Sequence, residues 1–278
     1  TAHYLILHDT SRAYAQWCGA LFERLYAAFR NYWMRKGFDL AEPEFPLVAV
    51  VFADRRSYVT FAHDELGDAA ESIIGYFSLA TNRMTMYDLT GTAGGGRGVR
   101  TSTSAQINQV LASPDATVTV STIVHEATHQ IAFNCRLHTR YSDCPLWFSE
   151  GIAVFFETPD LHSTKGWSSI GAVNRPRLTE FQKSFAERSR DSLKTLIVND
   201  KRFRDVRQGP SAYAEAWALT YFLLHQRAKE YVAYLRVLSA KKPLIQDGEE
   251  TRLREFETAF GDLKRLDADF LRYMVRVR

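Results

Sequence analysis

The opening HYLILHD alternates apolar and polar residues and predicts a strand. From 11 to 36, apolar residues recur at helical spacing (Trp17, Leu21, Leu25, Ala28, Tyr32) and stop at Gly37, which predicts a long amphipathic helix. The continuous apolar run at 47–52 predicts a buried strand, followed by a short helix near 58–66. Two more strands are expected at 73–79 and 83–89, turning at Ala80, Thr81 and Asn82. Beyond residue 100 the period becomes helical, with helices expected near 103–112, 116–135, 146–157, 178–187, 211–228, 229–240 and 249–275. This ordering predicts an α+β chain: a mixed-sheet lobe over 1–135, then a mostly helical lobe over 136–278.

Composition narrows the class. The 278 residues are 46% hydrophobic and include 5 Trp, 13 Tyr and 18 Phe, which is the makeup of a packed core and not of a disordered segment. No apolar run approaches the roughly 20 residues of a membrane-spanning helix. Thirty-five basic against 32 acidic residues give a charge of +3. The signs are interspersed, without the dense Lys/Arg stripe of a nucleic-acid footprint, so no nucleic-acid partner is expected. GTAGGGRG, starting at Gly91, superficially resembles a phosphate loop but lacks the Lys-Ser/Thr that must follow its last glycine; a connection is expected there. Cys135 and Cys144 leave two readings open, a bridge that points to an oxidising compartment or two unpaired small residues. Cys18, on a helix, is expected in the core. The chain opens on Thr1 and not Met, so we expect a processed or trimmed form from which any signal peptide is already gone.

The chemistry is concentrated in two segments. TVTVSTIVHEATHQIAFNC, residues 117–135, contains His125, Glu126 and His129. At about 100° per residue, Val120, Ile123, Val124, Ala127 and Ile131 share one helix face. The two histidines lie one turn apart on nearly the opposite face, where both rings can converge on one ion. Glu126 stands to one side, within reach of a water at that ion. Twenty residues after His129, WFSEGIAVFFE places Glu150 inside an otherwise apolar helix that Asp143 or Cys144 can cap and Pro145 can start. A carboxylate there needs compensation, and metal coordination supplies it. A catalytic zinc takes three protein ligands and keeps one position open, and His125, His129 and Glu150 make such a set.

HEATH followed by WFSEGIAVFFE resembles the gluzincin metallopeptidases, and among them the peptidase-MA-like bacterial families. The resemblance spans about residues 70–228. It implies a zincin-like fold forming one catalytic unit, one Zn2+ per chain held by His125, His129 and Glu150, and Glu126 as general base. It also implies peptide or protein substrates and, because such proteins are often exported, a secreted or cell-envelope location. AYAEAWALTYFLL, residues 212–224, resembles the helix that carries a catalytic tyrosine in aminopeptidase-type members. That matches Tyr213 as oxyanion donor, although Glu215 and Ala216 stand in place of the usual Lys-Gly, and Tyr221 and His225 are alternatives on the same helix. Family members pair substrate with an edge strand above the metal, for which residues 84–88 are the candidate here. Glu157 is a candidate partner of a ligand histidine. No motif for gripping a free amine is evident, which favours endopeptidase action. Two other readings share the ligand set: a catalytically silent zinc-containing binding or scaffold module, and a zinc hydrolase of a non-peptide substrate.

Overall fold

The computed structural model describes residues 1–91, 103–111, 113–161 and 167–278. The glycine-rich stretch after Gly91 therefore lies outside the described residues. The architecture is α+β: a mixed four-stranded sheet and twelve α-helices among the described residues. The chain divides into two compact units. One comprises Thr1–Tyr32, Ala41–Cys135 and Glu157–Ile170, the other Trp33–Leu40, Arg136–Phe156 and Gly171–Arg278.

The first unit is built on β1 (Tyr4–His8), β2 (Leu47–Phe52), β3 (Gly75–Ser78) and β4 (Arg83–Tyr87), in the order β1-β2-β4-β3. β1, β2 and β4 are parallel, and β3 runs antiparallel to β4 as the second edge. The β3–β4 turn closes at Asn82, at φ 58°, a left-handed conformation that asparagine tolerates better than most residues. Helix α1 (Arg12–Arg35) supplies Leu21, Phe22, Leu25 and Phe29 to the core, each at most 2% exposed. Helices α2 (Arg55–Leu66), α3 (Ser104–Leu111) and α4 (Pro114–Asn134) complete this part. Of residues 84–88, expected at a free edge, 84–87 belong instead to an interior strand: β4 is hydrogen-bonded on both sides, and β3 forms the edge. Its apolar residues (Met84, Met86 and Tyr87 are buried) signal this interior place.

The second unit surrounds α5 (Leu146–Phe156), in which every residue except Leu146 and Glu150 is buried. A helix apolar on all sides belongs at the centre of a bundle. Around it are α6 (Arg175–Ser184), α7 (Ser192–Val198), α8 (Lys201–Arg204), α9 (Gly209–Gln226), α10 (Ala228–Ser239), α11 (Glu249–Phe260) and α12 (Leu263–Met274). The single helix expected over 249–275 is two. Gly261 at φ 84° ends α11, and the Asp262 carboxylate accepts the Arg265 N–H to start α12. The cap of α5 is neither Asp143 nor Cys144. The Leu146 N–H donates to Asp200 Oδ1 at 3.0 Å, from the junction of α7 and α8. Asp143 is engaged elsewhere: the Arg252 guanidinium grips it through two bonds, of 2.7 and 3.1 Å, and also donates to Asp200. Lys241 joins Asp143, Asp247 and Glu255 in the same cluster.

Cys18, Cys135 and Cys144 are free thiols, so the bridged reading of Cys135 and Cys144 does not hold. Burial pushes the Cys135 thiol up to about 11, which leaves it protonated and unreactive at neutral pH.

Candidate metal centre

Helix α4 begins at a Ser113 cap with Pro114 in its first turn. Its apolar face is as the sequence implies: Val120, Ile123, Val124, Ala127 and Ile131 are fully buried. The helix is also tied to the sheet by polar bonds. The Gln130 amide donates to the Val48 and Asn82 carbonyls at 2.9 and 3.2 Å. Asn134 and Asn82 exchange two side-chain bonds of 2.8 Å each. The turn between β3 and β4 therefore fixes both the rotation and the height of the histidine face.

On that face the Nε2 atoms of His125 and His129 are 3.2 Å apart, with the rings crossed at 77°. Two nitrogens bound to one tetrahedral zinc at about 2.0–2.1 Å stand about 3.3 Å apart, so the pair is already at ligand spacing. Glu157 Oε2 lies 3.9 Å from His125 Nδ1, and both side chains are nearly buried. The Glu157 carboxylate thus lies beside the His125 ring nitrogen that does not face His129. The Glu126 carboxylate is held separately: the Phe77 N–H of edge strand β3 donates to Oε2 at 3.0 Å. Stacking of Phe77 on Phe133, with centroids 5.9 Å apart, fixes that strand on α4.

His125, His129 and Glu150 each offer one ligand atom, and these atoms all lie within 4.8 Å of one another. This is the group of three metal-ligating residue types found among the described residues, and it coincides with the trio picked out by spacing. Two imidazoles and a carboxylate form a donor set suited to a divalent transition ion such as zinc. The group can hold a metal ion.

The tyrosine candidates sit on α9. The Tyr213 ring is edge-on to Phe203 at 5.3 Å and under the Arg177 guanidinium at 5.6 Å. Together with Arg204, Val206 and Pro210 these residues line an open groove of about 420 Å³. Tyr221 is 9% exposed and packs on Trp217 and His225. His225 Nδ1 is 2.7 Å from the Tyr221 carbonyl oxygen, so these two alternatives are engaged with each other. Glu215, at the place of the usual lysine, is 2% exposed and enclosed by Arg188, Arg202 and Ser192. It anchors α9 within an ionic cluster. Among the other histidines, His3 pairs with Glu23 and His8 with the Thr10 carbonyl; His162 lies outside the described residues.

Reasoning from sequence alone missed the Phe77 backbone donor and the Asp200 cap. A backbone donor leaves no residue-type signal, and Asp200 is 54 positions from the N–H it caps.

A protein-family model described as "Protein of unknown function (DUF1570)" matches residues 119–245. That span takes in His125, Glu126, His129, Glu150 and Tyr213. No curated protein matches the chain.

Glu157→Gln is expected to weaken metal binding about 10- to 100-fold, the usual effect of removing a carboxylate behind a ligand histidine. Competition against a chromophoric chelator reads this directly, and an unchanged affinity would show that Glu157 does not orient His125.

Proposed function

We propose that the chain is a zinc-dependent peptidase that cleaves internal peptide bonds. The observation that carries this reading is the convergence of His125, His129 and Glu150, with Glu126 beside them as a carboxylate that is not one of the three ligands. A metal-binding module needs the ligands alone. A further carboxylate, held by the edge-strand Phe77 N–H, is what hydrolysis adds.

His125, His129 and Glu150 would hold the ion, which would supply Lewis acidity and make a water more acidic. Glu126 takes the proton from the attacking water and delivers it to the leaving amine as the peptide bond breaks. The Tyr213 hydroxyl donates to the oxygen of the tetrahedral intermediate, and removing it costs roughly 100- to 1000-fold in turnover. The edge strand β3, apart from the Phe77 N–H that Glu126 takes, offers main-chain groups to an extended substrate. Such pairing gives affinity with little side-chain selectivity, so broad sequence tolerance is expected.

The test combines metal analysis with hydrolysis. Protein purified without added metal is expected to carry about one zinc per chain. It should also cleave members of a diverse quenched-peptide library until a chelator is added, with activity restored by zinc. Stoichiometric zinc without chelator-sensitive cleavage of any peptide would overturn the peptidase reading and leave a metal-binding module. Absence of bound metal, with none taken up on titration, would overturn the centre itself.

A further inference from the structure

Helices α5 and α9 approach each other closely at Gly151. A Cβ built there overlaps Thr220 Oγ1 outright, stands 2.9 Å from the Ala216 carbonyl oxygen and 3.3 Å from Thr220 Cβ. Ordinary contact begins at 3.4 Å. Thr220 is fully buried and Ala216 presents its main chain, so the notch these residues form one turn apart on α9 has little room to yield. Thr220 can rotate its hydroxyl away, but the Ala216 oxygen is backbone and moves only with the helix. Glycine in the middle of a helix is otherwise unfavourable relative to alanine. The close approach, and not helix propensity, is what this position serves.

Glu150 precedes Gly151 on the same turn of α5. Whatever sets the distance and rotation of α5 against α9 at Gly151 also carries the Glu150 carboxylate. We propose that Gly151, seated in the Ala216–Thr220 notch, is a positioning residue for the metal centre. It fixes the placement of the helix that brings the Glu150 oxygen into the group with the two imidazoles. The inference rests on the metal centre proposed above. Moving the Ala216 oxygen from 2.9 Å to ordinary contact with a side chain at 151, at 3.4 Å, takes a displacement of about 0.5 Å. That is large against a metal–oxygen bond of about 2.0–2.2 Å.

The test is zinc titration of the metal-free full chain in competition with a chromophoric chelator, which needs no substrate. Gly151→Ala is expected to weaken zinc binding about 10- to 100-fold, the size of effect seen when a ligand's support is disturbed. Adding Thr220→Ala to Gly151→Ala removes the Oγ1 overlap but leaves the Ala216 oxygen in place, so it is expected to recover only part of that factor. In a Glu150→Ala background, where only the histidines remain, Gly151→Ala is expected to change the affinity no further. A general loosening of the fold would weaken both backgrounds alike. Wild-type affinity in a folded Gly151→Ala variant overturns the proposal, as does an equal loss in the Glu150→Ala background. If Gly151→Ala does not fold, the double variant decides: because it keeps the Ala216 contact, a zinc affinity weaker than wild type supports the notch, and wild-type affinity overturns it. A wild-type chain that takes up no zinc removes the centre and this inference together. That outcome is distinct from a zinc-binding wild type whose Gly151→Ala variant is unchanged.

Discussion

Glu126→Gln is expected to reduce peptide hydrolysis by roughly 100- to 10,000-fold, the range a positioned general base contributes, while zinc affinity stays within a few-fold of wild type. The amide keeps the size of the side chain and can still accept a bond from Phe77, now 3.0 Å from Oε2, but it cannot take a proton from water. Because Glu126 is not one of the three converging ligands, metal content is the internal control. Single-turnover kinetics on any cleaved library peptide, run beside elemental analysis, separates the two effects. A variant that retains metal and near-normal turnover would assign the base elsewhere. One that loses metal would make Glu126 a ligand.

The second large effect concerns stability. Asp143→Asn is expected to destabilise the helical unit by about 3 kcal/mol at pH 7, because removing one partner of a buried ion pair leaves the other charge uncompensated. Asp143 is 1% exposed and takes two of the bonds that Arg252 makes. Arg252 keeps Asp200 and Lys241 keeps Asp247 and Glu255, which sets the loss at the lower end of the range for such pairs. Burial pushes the Asp143 carboxyl up, but the Arg252 guanidinium and then Lys241 outweigh it and hold it below the ordinary carboxylate range. A carboxyl lowered by folding stabilises fully above its unfolded value of about 3.9, and that contribution fades as pH falls through the folded value. The gap between wild type and Asp143→Asn should therefore be constant from neutral pH down to about 5 and should close below about 4. Urea titrations at several pH values measure it. An Asn variant as stable as wild type at pH 7 would show that Asp200 alone suffices for Arg252.

The sequence was most legible where periodicity and chemistry agree. Residues 117–124 alternate as TVTVSTIV, a pattern open to a strand reading, yet they form the first half of α4. There the hydroxyls of Thr117 and Ser121 bond back to carbonyls four residues earlier, and the apolar residues at 120, 123, 124, 127 and 131 keep helical spacing. The ligand trio was readable because helix geometry alone puts His125 and His129 together, and Glu150 is the one acidic residue in an apolar run. Elements set by distant partners were not readable. Helix α7 is seven residues and α8 four, too short for a period to show. The split at Gly261–Asp262 has a local signal, glycine followed by a capping aspartate, that the longer amphipathic pattern on both sides obscured. Which strand lies at the edge depends on sheet order, and β4 follows β3 in the chain while lying inside it.

The guanidinium that joins Asp143 to Asp200 has a bearing on how the chain can be shortened. The matched family segment ends at residue 245, seven positions before Arg252. A fragment trimmed to that boundary keeps His125, His129 and Glu150 but loses the guanidinium that bridges Asp143 to Asp200, the cap of the Glu150 helix, and leaves Asp143 with Lys241 alone. Such a minimal piece has the candidate ligands and a weakened cap, so the two C-terminal helices belong in any fragment made to test the centre.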